Sequence, residues 1–407
     1  MSVTNAALAQ TTAVTPETSL REVVEALAPM IRLAGSEGER EAADWLAERL
    51  TSAGAREARV EDAPFRGDFS AVMAMLSAAA VASGVVGLTR FGRPLGALGA
   101  AAAAALIVDD ASNGFRPFRR AVIPEQTTSN VIAELGDPEA ERTLVILAHH
   151  DSARTGKIFD PTLLRGAAER FPGIVERRDT SLPQWWAAAA GPVLSAIGSA
   201  TNRRGLTAAG VGLSSLSAAS FADIQRSEIV PGANDNLSAC AVLVALAEAV
   251  RDRPLKGLRI VVASCGAEEV LQGGIHDFAE RHLKPLDREQ TWVLTLDTVG
   301  SPGLALLEGE GPFVMEDYFD IGWRDLIWRV SQREEIPIRR GMRSRASTDA
   351  VIPSRMGIPT ACIVSTNRHK ALTNYHLPSD TPENVHYAAV ACCTDLVEAV
   401  ARELAVR

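Results

Sequence analysis

Aromatic side chains make up only 5 % of this 407-residue chain, and its five cysteines include no C-x-x-C pair. With so few aromatics, the 47 % of residues that are hydrophobic are carried by alanine and small aliphatics. That apolar fraction excludes a disordered chain. Cys240, Cys265, Cys362, Cys392 and Cys393 are odd in number and confined to the second half. They exclude a disulfide scaffold and read as reduced, buried thiols of a cytoplasmic protein. A basic surplus is missing too: 41 Lys and Arg stand against 50 Asp and Glu, a net charge of −9. No nucleic acid is expected as partner, because phosphate binding wants a basic footprint. The acidic balance suits a binder of cations. The start of the chain, MSVTNAALAQTTAVTPETSLREVVEAL, has no basic segment followed by an apolar one, so no secretory leader is expected.

Charge is also absent from long internal stretches. Residues 69–89, 94–108, 180–202 and 205–222 hold none for 21, 15, 23 and 18 residues. They read as two helical hairpins inserted into a larger domain. The first occupies 67–110 and the second 152–228, leaving 1–66, 111–151 and 229–407 for the domain itself. Two of the stretches are long enough to cross a bilayer. They are rich in Ala, Gly and Ser, however, and Arg90, Arg93, Arg203 and Arg204 sit at the tips. With a cytoplasmic domain, those arginines would lie outside, against the usual bias. The expectation is hairpins packed on each other or on a second subunit, giving a homo-oligomer; membrane association is the alternative.

Elsewhere short apolar runs alternate with helical patterns. Residues 58–62, 130–135, 143–148, 258–263, 292–296 and 360–364 have the length and β-branched content of strands, most of them buried. Helical periodicity marks 36–50, 237–250, 268–283, 323–332 and 384–404. Ser36, with Glu39 three residues on, reads as a capping box. This alternation predicts an α/β fold: a three-layer α/β/α sandwich around a mixed, mostly parallel sheet.

Ligands in such sheets bind beyond the carboxyl ends of the strands. There TLVILA runs into His149, His150 and Asp151; LRIVVA runs into SCGAEE, with Glu268 and Glu269; WVLTL runs into Asp297. PGANDN, with Asp235, and YHLPSDT, with Tyr375 and His376, are polar turns that join them. Imidazole and carboxylate without cysteine suit zinc, with manganese or cobalt as substitutes. His149, Asp235, Glu269, Asp297 and His376 are five donors, enough for two ions if one carboxylate bridges. Glu268 is then spare to move protons. Such a pair of metals with a free carboxylate equips a site for hydrolysis.

In their order, HHDSA, PGANDNLSA, CGAEEVLQGG, LDTVG and YHLPSDT resemble the co-catalytic di-zinc aminopeptidases of zinc peptidase family M28. The resemblance runs from about residue 20 to the end, interrupted by the hairpins. It implies that His149 and Asp297 bind one Zn2+, Glu269 and His376 the other, and that Asp235 bridges them through a turn whose following peptide is often cis. It further implies Glu268 as general base, Asp151 as the carboxylate that orients His149, and Tyr375 as a donor to the oxyanion. The implied reaction is release of N-terminal residues from a peptide or small amide. A carboxypeptidase or amidase on the same site is the alternative, favoured if the run Arg339, Arg340, Arg343, Arg345 grips a carboxylate. Lower stand a glutaminyl-cyclase-like acyl transfer, whose enzymes hold a single zinc, and a non-catalytic scaffold, which would lack ligands or base. Thr348-Asp349-Ala350 keeps the acid of a family Ser-Asp-His but not its histidine, so Asp349, Arg343 and Arg345 are candidate substrate contacts only. His150, His276, His282, His369 and His386 read as structural or surface residues.

Overall fold

A computed structural model describes residues 13–407; the first twelve residues of the segment read for a leader lie outside them. Nine strands form one mixed sheet: β1 (Arg56–Phe65), β2 (Gln126–Gly136), β3 (Thr143–His149), β4 (Arg259–Cys265), β5 (Thr291–Leu296), β6 (Gly303–Glu310), β7 (Glu316–Asp317), β8 (Ile338–Ser344) and β9 (Thr360–Thr366). Their order is β1-β2-β4-β3-β5-β9-β6-β7, with β8 on β6. The centre, β4-β3-β5-β9, is parallel, and the flanks bring antiparallel pairs. The expected α/β sandwich is therefore present, with strands longer by a few residues than their apolar runs.

The helices are α1 (Glu17–Leu27), α2 (Glu37–Ser52), α3 (Phe69–Gly87), α4 (Arg93–Ala111), α5 (Pro117–Val122), α6 (Thr162–Arg170) and α7 (Pro172–Arg177). They continue with α8 (Trp186–Ala200), α9 (Arg204–Arg226), α10 (Ser238–Asp252), α11 (Gly273–Phe278), α12 (Ile321–Arg333), α13 (Val351–Arg355) and α14 (Tyr387–Ala405). The alternation of β3 sorts the layers. Leu144, Ile146 and Ala148 face the core shared with α1, α2, α10, α12 and α14. Val145 and Leu147 face the opposite core, with Ile275 and Phe278 of α11 and Val351 and Ile352 of α13. Burial on both faces explains why these strands read as unbroken apolar runs. Each fully buried Leu or Ile contributes roughly 1.5–3 kcal/mol. All five cysteines are buried and unpaired.

Ser36 caps α2: its hydroxyl accepts the N–H of Glu39 (3.2 Å), while the Glu39 carboxylate accepts the N–H of Gly35 (2.7 Å). One expected helix breaks up. Residues 268–283 begin as a turn, in which Ala267, Leu271 and Gln272 have positive φ; helix starts only at Gly273. The four charge-free stretches form α3, α4, α8 and α9, which pack together as a four-helix bundle.

Candidate metal centre

Parallel pairing brings the chemistry together. His149 ends β3 opposite Cys265, the last residue of β4, and Leu147 lies opposite Thr295 of β5. His149, the turn with Glu268 and Glu269, and Asp297 thus emerge side by side from three adjacent strands. Two loops close the circle: 233–237 before α10, carrying Asp235, and 374–381 before α14, carrying His376.

Donor atoms of His149, Asp235 and Glu269 lie within 4.8 Å of one another. Asp235 stands between the histidines: Oδ1 is 3.3 Å from His149 Nε2, and Oδ2 is 3.4 Å from His376 Nε2. Asp297 Oδ2 is 4.0 Å from His149 Nε2, and Glu269 Oε2 is 3.0 Å from His376 Nε2. Glu268 Oε2 lies 3.9 Å from His149 Nε2, at the edge of the cluster. The peptide bond Asp235–Asn236 is cis.

Two buried carboxylates hold the loops. Asp151 accepts the backbone N–H groups of Glu268 and Glu269, both at 3.0 Å, and lies 3.3 Å from His149 Nδ1. Asp380 accepts the N–H groups of Asn234 (2.8 Å) and Asp235 (3.1 Å). Sequence reasoning quoted Asp380 within YHLPSDT but gave it no role; its position four residues after His376 was the available signal. Gln272 was missed as well: its Nε2 donates to Glu268 Oε1 (2.7 Å) and to the Ser347 carbonyl (2.8 Å). Asn236 ties the turn to the sheet, donating to the Leu296 carbonyl (2.9 Å) and accepting the Thr298 N–H (2.9 Å).

The electrostatics of the cluster call for cations. Burial pushes Glu269 up to about 7 and Asp297 up to about 6, each with Asp235 adding to the rise. Burial also drives the Glu268 carboxyl well above its ordinary range; His149 opposes the shift, and Asp349, Asp297 and Glu269 reinforce it. Burial would lower His376, but Glu269 and Asp235 lift it to about 10. His149 rises likewise against its burial, through Asp151 and Asp235. Ring atom Nε2 of each histidine and Oε1 of Glu269 are buried without a hydrogen-bond partner. A nitrogen–oxygen donor set of two imidazoles and several carboxylates, with orphaned lone pairs facing one another, fits zinc.

A cleft of about 840 Å³ opens over the cluster. Asp235, Glu268, Glu269, Asp297 and Tyr375 lie on its floor, and Phe159, Leu164 and Phe171 are among its apolar walls. The Tyr375 ring stacks on His376 at 3.8 Å between centroids, and Phe159 meets His376 edge-on at 4.6 Å. Arg343 and Arg345 also line the cleft. Arg343 is paired with Asp317 (2.7 Å), however, and Arg345 lies over the Trp186 ring at 5.4 Å. Arg340, in the same run, is spent on Glu308 and Asp325. Asp349 is 2 % exposed, beside the cleft-lining Ser347 and Thr348. His150 is buried against Ser264 Oγ (3.0 Å).

Fold and donor cluster together are those of an α/β sandwich with a candidate metal centre at the carboxyl ends of its central strands. Residues 217–401 match the model of Peptidase family M28. No curated protein matches the sequence. Among solved structures, the aminopeptidase from Aneurinibacillus sp. strain AM-1 is 15 % identical, with a TM-score of 0.54 over 98 % of this chain and 95 % of that one. Glutaminyl cyclase from Tannerella forsythia is 14 % identical, with a TM-score of 0.56 over 95 % and 98 %. A Zn-dependent exopeptidase from Parabacteroides distasonis is 13 % identical, with a TM-score of 0.52 over 95 % and 98 %. At these identities the likeness is one of fold.

Proposed function

We propose that the chain is an aminopeptidase that hydrolyses the first amide bond of short peptides at a pair of zinc ions. His149 and Asp297 would hold one ion, Glu269 and His376 the other, and Asp235 would bridge. The observation that carries this reading is the position of Asp235, whose two oxygens each face the Nε2 of one histidine, at 3.3 and 3.4 Å. A single-ion site, as in an acyl-transfer enzyme, gives that symmetry no purpose. When bound, the zinc pair supplies Lewis acidity that polarises the scissile carbonyl and lowers the pKa of water from about 15.7 toward 7.

The chain does the rest. Glu268 accepts the proton of the attacking water at Oε2, its other oxygen being pinned by Gln272, and returns it to the leaving amine. Its burial next to the donors supports that task, because a carboxyl with a raised pKa both takes and gives a proton near neutrality. Tyr375, on the cleft floor, donates its phenol to the carbonyl oxygen as charge builds there. A cleft of this size accommodates a peptide of a few residues, in the usual range of ~300–1,000 Å³. The carboxypeptidase reading retains one support: Arg343 and Arg345 are on the same cleft wall.

A turnover panel separates these readings. The zinc-loaded enzyme is given dipeptides with free N-termini, the same dipeptides N-acylated, and N-terminal glutaminyl peptides. Cleavage only where the amino terminus is free is the expected result. Faster cleavage of the N-acylated substrates would favour the carboxypeptidase, and cyclisation of the glutaminyl peptides without hydrolysis would refute the assignment.

A further inference from the structure

The four-helix bundle is built with the wrong side out for water. A bundle that stands in solvent turns polar residues outward and apolar ones inward. Here the seams are lined by glycine and serine: Gly87 meets Ser199, Gly84 and Gly210 meet Ser195, and Gly191 meets Ser214. At Gly96 an added Cβ would lie 2.4 Å from the Gly87 Cα, so the backbones of α3 and α4 approach each other closely. Small residues on the seam are the packing device of helices in lipid. The outward positions hold Val86 on α3, Leu95 and Leu98 on α4, Ile197 on α8 and Leu216 on α9, all exposed. Because α3 packs on α4 and α9, and α8 on the same two helices, these side chains look out in every direction.

Height selects the occupant. The charge-free stretches are 21, 15, 23 and 18 residues long. α3 has 19 charge-free residues, about 28 Å at 1.5 Å per residue, against roughly 30 Å of bilayer hydrocarbon; α4 also has 19 but carries Arg93, Asp109 and Asp110 at its ends, α9 has 23 and α8 has 15. Mean hydropathy reaches 2.0 in α3, 1.4 in α4 and 1.2 in α9. Arg90, Arg93, Arg203 and Arg204 bound the far end, and Asp68, Arg116, Asp223 and Arg226 the near end. Phe91 is 89 % exposed at the far tip and Trp186 48 % exposed at the near end, the levels at which aromatic residues gather at a membrane boundary. Three hydroxyls on the bundle are satisfied by the preceding turn, Thr201, Ser215 and Ser217 donating to the carbonyls of Ile197, Val211 and Leu213, whereas those of Ser77, Ser195, Ser199 and Ser214 are buried in the seams without a partner.

The run Ala233–Asp252 provides an internal contrast. Its mean hydropathy is 1.2, yet 89 % of it is buried inside the protein; for α3, α4 and α9 the buried shares are 39 %, 39 % and 28 %. Among these four runs, those of the bundle leave most of their length unburied within the described residues. A second copy of the chain could cover one flank and would leave the others in water. Exposure on all sides therefore reverses the preference for a subunit interface drawn from the sequence. We propose that the bundle is embedded in a lipid bilayer and holds the sheet domain, with its cleft, at the membrane surface. This inference does not rest on the peptidase reading.

The test uses the full chain, reconstituted into phosphatidylcholine vesicles, washed with alkaline carbonate and concentrated salt, and floated on a density gradient. All of the protein is expected to float with the vesicles after both washes. In a second arm, Leu98→Cys and Phe91→Cys are labelled with a bimane fluorophore; the native cysteines are buried and stay unlabelled. Lipids carrying a mid-chain nitroxide are expected to quench the label at 98 several-fold more than that at 91. Release by carbonate, a lipid-free oligomer that fails to float, or equal quenching at the two positions would overturn the proposal. Flotation of the unmodified chain decides the matter even if a labelled variant misfolds.

Discussion

Asp380→Asn is the sharpest probe of how the site is held. Asp380 is 1 % exposed, and its two oxygens accept the N–H groups of Asn234 and Asp235 at 2.8 and 3.1 Å. An amide of the same shape has one acceptor oxygen. Its NH2 group would meet the second N–H donor to donor. One charge-assisted hydrogen bond is lost, about 1.5–3 kcal/mol, which at 1.4 kcal/mol per decade is roughly a 10- to 100-fold change in an equilibrium constant. The lesion falls on the backbone that aims the Asp235 carboxylate. Zinc affinity is therefore expected to drop about 10- to 100-fold, as for other carboxylates behind a ligand, with kcat at saturating zinc changed far less. The assay is competition with a chelating dye, followed by turnover at saturating zinc. Asp137→Asn is the control: Asp137 also clamps two N–H groups, those of Gly257 (2.9 Å) and Glu139 (3.1 Å), but far from the cluster. It loses the same kind of bond and leaves zinc binding alone. Equal zinc affinities for Asp380→Asn and the unmodified protein would refute the reasoning; equal losses in both variants would reduce it to general destabilisation.

Three further outcomes follow from the same geometry. Glu268→Gln retains zinc and loses about 10²- to 10⁴-fold in kcat; near-normal turnover would remove Glu268 from the proton relay. Asp235→Ala releases both ions, and elemental analysis showing two retained would contradict the bridge. Tyr375→Phe keeps its metal and slows turnover, since the ring still stacks on His376; an unchanged rate would leave the tyrosine a packing role alone.

The strand-end residues were legible because each strand that carries one is short, β-branched and buried on both faces. Such a run has one clear end, and the polar residue there has one place to go. The sequence was silent on β6 and β8. Gly303–Glu310 has no alternation to mark it, and Ile338–Ser344 is an outer strand whose three arginines look like a solvated run. The helix expected at 268 failed for a backbone reason. Positive φ at Ala267, Leu271 and Gln272 turns the chain so that the N–H groups of Glu268 and Glu269 reach Asp151, and helical periodicity in the side chains does not record this. Asp380 could not be assigned from its neighbours because its partners lie about 145 residues away. The bundle was read as small-residue packing, which it is. Which faces that packing leaves bare depends on how four helices close, and no single helix contains that information.

The bundle also reaches the cluster directly. Asn113, just past α4, donates to Gln272 Oε1, and the same Gln272 holds Glu268. Phe159, in the turn between β3 and α6, packs with the core at the near end of the bundle and lays its edge on His376. The rotamer of Glu268 and the ring plane of His376 are thus both braced by segments outside the sheet. Glu268 and Glu269 share the backbone clamp of Asp151, but the Glu268 side chain is held at Oε1 by the Gln272 amide, which Asn113 in turn contacts. Loosening the near end of the bundle should therefore disturb Glu268 before it disturbs metal binding. Asn113→Ala is expected to lower kcat while leaving zinc affinity unchanged; a parallel loss of zinc would show that the bundle braces the whole centre and not the proton path.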